Sequence, residues 1–208
     1  MNLFLIGSTG MIGSRIAREA RDRGHQVTEA TRSGGDGRLE LDVHDTDAVA
    51  GALPGHDVLV SAVAPPRDGT DASGPLVAAG RSLLDAVRAS DVERLLVVGG
   101  AGSLLLADGT RNVDQDDFPA EYRGEALAHA DLLAMLRDEA DDVAWAYLSP
   151  AGMIQPGERT GEFTLGGDEL VVDNDGQSRV SAEDYAVALV DEVEEPAHTG
   201  ERFTLGYA

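Results

Sequence analysis

"LFLIGSTGMIG", residues 3–13, sets an apolar run directly against three glycines, Gly7, Gly10 and Gly13. Consecutive apolar residues ahead of a glycine turn read as a strand buried on both faces. Downstream, Ile12, Ile16 and Ala20 fall on one helical stripe, so the glycines stand between a buried strand and the start of an amphipathic helix. A glycine turn in that setting can hold a phosphate, because the first turn of a helix carries unpaired N–H groups and about half a unit of positive charge. In the spacing G-x-x-G-x-x-G, Gly7 permits the sharp turn, Gly10 lets a pyrophosphate approach the backbone, and Gly13 lets helix and strand pack closely. Ser8, Thr9, Met11 and Ile12 complete the cradle. The alternative is a purely structural turn; the strand–turn–helix context favours a dinucleotide cofactor.

Working outward, short apolar runs alternate with helical patterns. Strands are expected at 2–6, 26–30, 38–41, 57–63, 94–98 and 143–148. Between them, Leu76, Leu83, Leu84 and Val87 share one helical face, and 120–140 repeats the pattern with Leu127, Leu132, Met135 and Leu136. This is the pattern of an α/β fold: a doubly wound parallel sheet with helices on both faces. After Pro150 the rhythm changes. "EFTLGGDELVV" reads as a hairpin around Gly166-Gly167, and Ser181 caps a helix whose buried stripe is Tyr185, Leu189 and Val193, with Asp184 as the acid of a capping-box variant. "RFTLGYA" is a final strand. With no linker in sight, residues 1–208 read as one domain, of which 151–208 is a small elaboration.

Composition narrows the function. The chain has 208 residues, enough for one substantial core. Its 38 acidic residues outnumber 16 basic ones, for a net charge of −22. Every basic residue is Arg; there is no Lys and no Cys. A field of that sign repels nucleic acid and anionic membrane, so neither is an expected partner. The acids Asp45, Asp47, Glu139, Asp141, Asp142, Glu192, Glu194 and Glu195 are scattered and read as a solvated skin. A GC-rich genome accounts for the missing Lys; adaptation to molar salt accounts for the excess Asp as well. Without Cys there is neither disulfide nor thiolate nucleophile, and His25, His44, His56, His129 and His198 lack ligand spacing, so no metal is expected. No apolar stretch is long enough to cross a bilayer and no signal peptide is apparent, which reads as a cytoplasmic protein.

The second strand ends in "EATRSGG". Sites for NAD usually place an acid there for the ribose 2′-hydroxyl. Here Arg32 and Ser33 follow the strand, and a guanidinium beside a hydroxyl suits a 2′-phosphate, favouring NADPH while admitting NADH. The nearest acid, Glu29, lies within the strand. Asp42, with Val43 beside it, ends the third strand, either as an acceptor for the adenine amino group or as a turn acid. Ser61, Ala62 and Val63 place small side chains where the fourth strand would meet the cofactor.

Taken together, "GSTGMIGSRIAREARDRGHQVTEATRS" (7–33), "DVLVSAVAP" (57–65), "RLLVVGGAGSL" (94–104) and "YLSPAGMIQPGERTGEF" (147–163) resemble the atypical short-chain dehydrogenase/reductase superfamily. Within it they are similar to the NADH-flavin-reductase-like branch, neighbours of NmrA-like and biliverdin-reductase-B-like proteins. The resemblance spans essentially the whole chain. It implies a Rossmann domain binding NAD(P)H and a small-molecule acceptor such as a flavin or quinone-like ring. It also places Ser149, Pro150, Ala151 and Gly152 beside the nicotinamide.

One departure from the wider superfamily bears on the chemistry. Classical members pair Tyr-x-x-x-Lys, the ammonium drawing a tyrosine pKa of ~10 toward neutrality. Here Tyr122 is followed four residues on by Ala126, and no Lys exists to replace it. Arg123 cannot shuttle a proton. Ketone reduction and epimerisation are therefore poorly supported. Hydride delivery to a flavin asks only for alignment and charge stabilisation. Ser103, near the superfamily's serine position, and Tyr122 are the catalytic candidates. Arg123 and Arg159 are candidates for binding the acceptor, or else surface arginines paired with acids. A non-catalytic, NmrA-like redox sensor is the competing reading.

Overall fold

The computed structural model describes residues 1–65, 70 and 72–208. The first half of the chain runs β1 (Asn2–Ile6), α1 (Met11–Asp22), β2 (Gln26–Thr31), β3 (Leu39–Glu40), α2 (Thr46–Ala52), β4 (Val58–Ser61), α3 (Ser73–Arg88) and β5 (Arg94–Val98). A 3-10 turn at Asn112–Asp114 leads to α4 (Ala120–Glu139) and β6 (Ala144–Ser149). Then follow β7 (Met153–Gln155), β8 (Thr164–Gly166), β9 (Arg179–Ser181), α5 (Ala182–Glu194) and β10 (Glu201–Gly206).

Eight strands form one sheet in the order β3-β2-β1-β4-β5-β6-β10-β8. All neighbours are parallel except β10 and β8 at one edge. Winding reverses between β1 and β4, so a crevice opens there outside the carboxyl ends of the strands. The alternation inside "LFLI" divides the core: Phe4 and Ile6 pack with α2, α3 and α4, and Leu3 and Leu5 with α1 and α5. This is the doubly wound α/β fold expected from the sequence. Among the described residues, no helix is long and apolar enough to cross a membrane.

Four details differ from the sequence reading. The third strand shrinks to two exposed residues, because only Ala30 and Thr31 of β2 pair with it. Leu127 is 38 % exposed, and Ala126, Ala128 and His129 face the core instead. The reason is close packing: a side chain on Gly100 would come within 2.8 Å of His129, and one on Gly102 within 2.6 Å of Ala126. The 162–172 hairpin does not form. β8 pairs antiparallel with β10, and beyond Gly167 the chain turns to residues 103–105 through Leu105 N–H to Asp168 O (2.8 Å) and Leu170 N–H to Leu105 O (2.9 Å). Nor are all the acids a solvated skin. Glu192 is 3 % exposed against Arg94, and Glu139, Asp142 and Glu194 pair with Arg81, Arg88 and Arg23.

The cap on α5 forms with a twist. Ser181 Oγ accepts the Asp184 N–H (2.9 Å), but the Asp184 carboxylate does not return to the cap. The Tyr207 hydroxyl stands between them, accepting the Ser181 N–H (3.1 Å) and donating to Asp184 (2.7 Å).

Candidate functional site

The carboxyl ends of β1, β2, β4, β5 and β6 lie along one edge of the sheet, and the glycine turn occupies its centre. Gly7 has a φ of +85°, and any side chain on it would overlap the carbonyl oxygen of Ala62 at the exit from β4. A side chain on Gly13 would overlap the carbonyl oxygen of Gly7 and lie 3.0 Å from Ser8 Cα. Gly10 is different: an added Cβ would meet only Gly7 O, at 3.5 Å. Its missing side chain leaves space in front of the helix. Helical bonding in α1 starts with Ser14 N–H to Gly10 O (3.0 Å), so the amides of Met11, Ile12 and Gly13 have no helical acceptor. No side chain caps this helix and no acid stands in its first turn. The positive end is therefore left for an anion.

At the end of β2, the Thr31 hydroxyl is buried and unpartnered. Ser8, 2 % exposed, has its hydroxyl near the Glu29 carboxylate without closing a hydrogen bond to it. Arg32 and Ser33 follow, both exposed. Arg32 alone among the described arginines has neither a hydrogen bond nor an ion pair. Its charge is felt by Asp42, whose carboxyl is held below the usual range first by the His44 N–H and imidazole, with Arg32 adding to them. Asp42 thus makes a turn with His44 (3.0 Å to both nitrogens), with Val43 half-buried beside it. Glu29 is taken by Arg21 (2.5 Å) and Arg38 (3.4 Å). Orphaned buried hydroxyls, a free guanidinium and uncapped amides fit a dinucleotide's phosphates and ribose.

Ser61 is buried at the end of β4, with Ala62 and Val63 half-buried after it. Ser149 stitches the exits of three strands together: its hydroxyl donates to Gly100 O (3.0 Å) and its carbonyl accepts from Thr204 (2.9 Å). Pro150 and Ala151 are buried, and Gly152 is exposed with its N–H on Ser178 (2.9 Å). Behind Gly99 and Gly100 sits Tyr147, fully buried, its hydroxyl accepting the Gly100 N–H and donating to His129 O. Burial pushes its pKa up, so it stays neutral.

Of the remaining candidates, Ser103 and Tyr122 stand beside the β5 exit. Tyr122 is 53 % exposed in the first turn of α4, one turn before the Ala126 that packs on Gly102. Ser103 is half-buried and accepts a hydrogen bond from Arg202 (2.9 Å). Arg123 donates to the carbonyls of Val113 (2.8 Å) and Gln115 (3.3 Å) over the Phe118 ring, so it braces a loop. Arg159 is withdrawn from the carboxyl edge because Glu19, in the third turn of α1, takes its Nε and Nη2 (2.8 and 2.7 Å). Around it, residues 157–161 clasp the α1–α5 pair. Glu183 accepts the Gly157 N–H and Arg15, while Asp184 accepts from Thr160 and the Gly161 N–H. Sequence reading missed Thr31, whose signal was its place directly before Arg32, and Arg202, which had no local signal.

Residues 7–196 match a protein family described as NAD(P)H-binding. Three solved structures with names qualified as "putative" are similar over nearly their whole length. An exported protein from Burkholderia pseudomallei shares 44 % identity over 100 % of both chains, TM-score 0.89. An epimerase from Bacteroides thetaiotaomicron shares 36 % over 99 % of this chain and 96 % of that one, TM-score 0.88. An NADH-flavin reductase from Streptococcus pneumoniae shares 33 % over 100 % of both, TM-score 0.87. The chain belongs to the NAD(P)H-binding family, in its atypical short-chain dehydrogenase/reductase-like branch.

Proposed function

We propose, from membership of the NAD(P)H-binding family, that the chain is an NADPH-dependent reductase of a flavin or similar conjugated-ring acceptor. The observation that carries this is that, among the described residues, no activated acid stands at the carboxyl edge. Tyr122 is exposed, the position four residues on is Ala126, and the sequence holds no Lys. A ketone or a sugar nucleotide needs a proton delivered as hydride moves. A flavin delocalises the arriving charge itself, and water protonates it later.

Each part of the site then has a task. The amides of Met11, Ile12 and Gly13 would hold the pyrophosphate, and Ser8 and Thr31 the neighbouring ribose. Arg32 and Ser33 would read a 2′-phosphate, with Asp42 and Val43 at the adenine. Ser61 to Val63 and Ser149 to Gly152 would form the floor under the nicotinamide, which when bound supplies the hydride. Arg32 supports NADPH over NADH because it is a charged fork with no hydrogen-bond or ion-pair partner among the described residues.

The test is NADPH oxidation by the purified protein with free FMN or FAD, against a blank without protein. Turnover above the blank supports the reductase. Tight NADPH binding with no turnover of any conjugated-ring acceptor favours the second reading, a dinucleotide-binding sensor, which draws on the same missing Tyr–Lys pair.

A further inference from the structure

Arg202 is an unusual resident of a sheet. It lies in β10 in register with Tyr147 of β6, and its side chain is 2 % exposed. A buried guanidinium is costly unless its donors are placed. Here Nε donates to Asp168 Oδ1 (2.7 Å), and Nη2 reaches the same carboxylate and the Asp168 carbonyl. Arg137 of α4 holds Asp168 from outside (2.8 Å). Those contacts would be enough to tie β10 to the 168 segment. Nη1, however, goes elsewhere, to the hydroxyl of Ser103 at 2.9 Å.

Ser103 stands on the glycine-rich run that leaves β5. Leu104, fully buried, and Leu105, bonded to Asp168 and Leu170, fix the backbone beside it. A serine oxygen that accepts from a guanidinium must point its own proton away, and that proton finds no acceptor among the described residues. We infer that Arg202 is a positioning residue that makes Ser103 an obligate hydrogen-bond donor to a ring carbonyl of the acceptor. The substrate class follows: a conjugated ring bearing a carbonyl oxygen, as in flavins and quinones.

This rests on the reductase reading. Hydride leaves the reduced dinucleotide, which is oxidised, and bonds to the acceptor ring, which gains both electrons. The ring carbonyl oxygen takes up negative charge, Ser103 donates to that oxygen without losing its proton, and solvent supplies the proton afterwards.

Steady-state kinetics and infrared spectra of oxidised FMN bound to cofactor-free protein test the inference together. Ser103→Ala is expected to lower kcat about tenfold to a hundredfold, the loss of one charge-assisted hydrogen bond, with little change in KM for FMN. Arg202→Lys keeps a charge for Asp168 but loses the fork, and is expected to lose about tenfold. The double variant should be no slower than Ser103→Ala. A flavin carbonyl stretch lowered in the wild type should rise in both single variants, and Arg137→Gln should change neither readout. Arg202→Met with Asp168→Asn guards against a folding defect from an unpaired charge, and Ser103→Ala carries no such risk. Unchanged kcat in Ser103→Ala, additive losses, or an unmoved carbonyl stretch overturn the inference while the reductase reading stands. A wild-type protein that binds NADPH but turns over no conjugated-ring acceptor, FMN, FAD or quinone, removes both.

Discussion

The carbonyl oxygen of Gly7 occupies the space that a side chain on Gly13 would need. Gly10, midway between them, meets nothing closer than 3.5 Å. Two of the three glycines therefore serve the protein, and the third leaves room for a ligand. Gly13→Ala is expected to lower the melting temperature and weaken the cofactor together. Gly10→Val should melt close to wild type, yet lose NADPH binding and activity because its side chain enters the pyrophosphate's place. Thermal melts alongside nucleotide titrations check both.

Arg32→Ala should weaken NADPH by ~1.5–3 kcal/mol, the range for hydrogen bonds to a charged group, and leave NADH almost untouched. Because Arg32 makes no hydrogen bond or ion pair among the described residues, the variant's stability should change little. Calorimetric titration with both cofactors decides it. Equal loss for both would mean that the guanidinium supports the loop.

Tyr122→Phe is expected to keep flavin-reductase activity within about tenfold of wild type. Loss of a general acid would cost ~10²–10⁴. A collapse in rate with NADPH binding intact would return the tyrosine to the centre of the chemistry.

Asp184 is fully buried. Burial pushes its pKa up, but the Thr160 hydroxyl, the Gly161 N–H and the Tyr207 hydroxyl outweigh it, and the net shift is downward. A carboxyl depressed in the folded state stabilises above its unfolded pKa of ~3.9, and the contribution is lost as pH falls below that value. Wild type should lose stability steeply below about pH 4. Asp184→Asn should start lower at pH 7 and show a shallower acid slope, measured by urea unfolding at successive pH values.

The excess of 38 acidic over 16 basic residues predicts a melting temperature that rises with salt. Repulsion reaches ~30 Å at 0.01 M and only ~3 Å at 1 M. Screening also weakens exposed pairs such as Arg81–Glu139 and Arg88–Asp142, but relief of the repulsion among the unmatched acids outweighs that loss. Melts from dilute buffer to molar KCl settle the sign. A flat response would leave GC bias as the sufficient account of the composition.

What could be read from the sequence was local. β1, its glycine turn and α1 are contiguous, so the apolar run and the stripe of Ile16 and Ala20 announce them. β8 is not local: its sheet partner is Leu205 and its neighbours, and the turn after it answers to Leu105. Leu127 misleads because Ala126 and His129, weaker signals in any hydrophobic pattern, are the residues small enough or suitably shaped to face Gly102 and Gly100. Arg159 looked like a ligand for the acceptor because nothing in its surroundings reveals Glu19, 140 positions earlier. The place of Arg32 directly after β2 is legible for the opposite reason, since neighbours in sequence set it.

The clasp at 157–161 also bears on how such a protein can change over generations. Gly157, Arg159, Thr160 and Gly161 are each bound to acids on α1 or α5, so mutation there disturbs the packing of two helices before it reaches any ligand. Descendants that alter what the carboxyl edge binds would have to vary outside these four residues, whose first duty is to the helix pair.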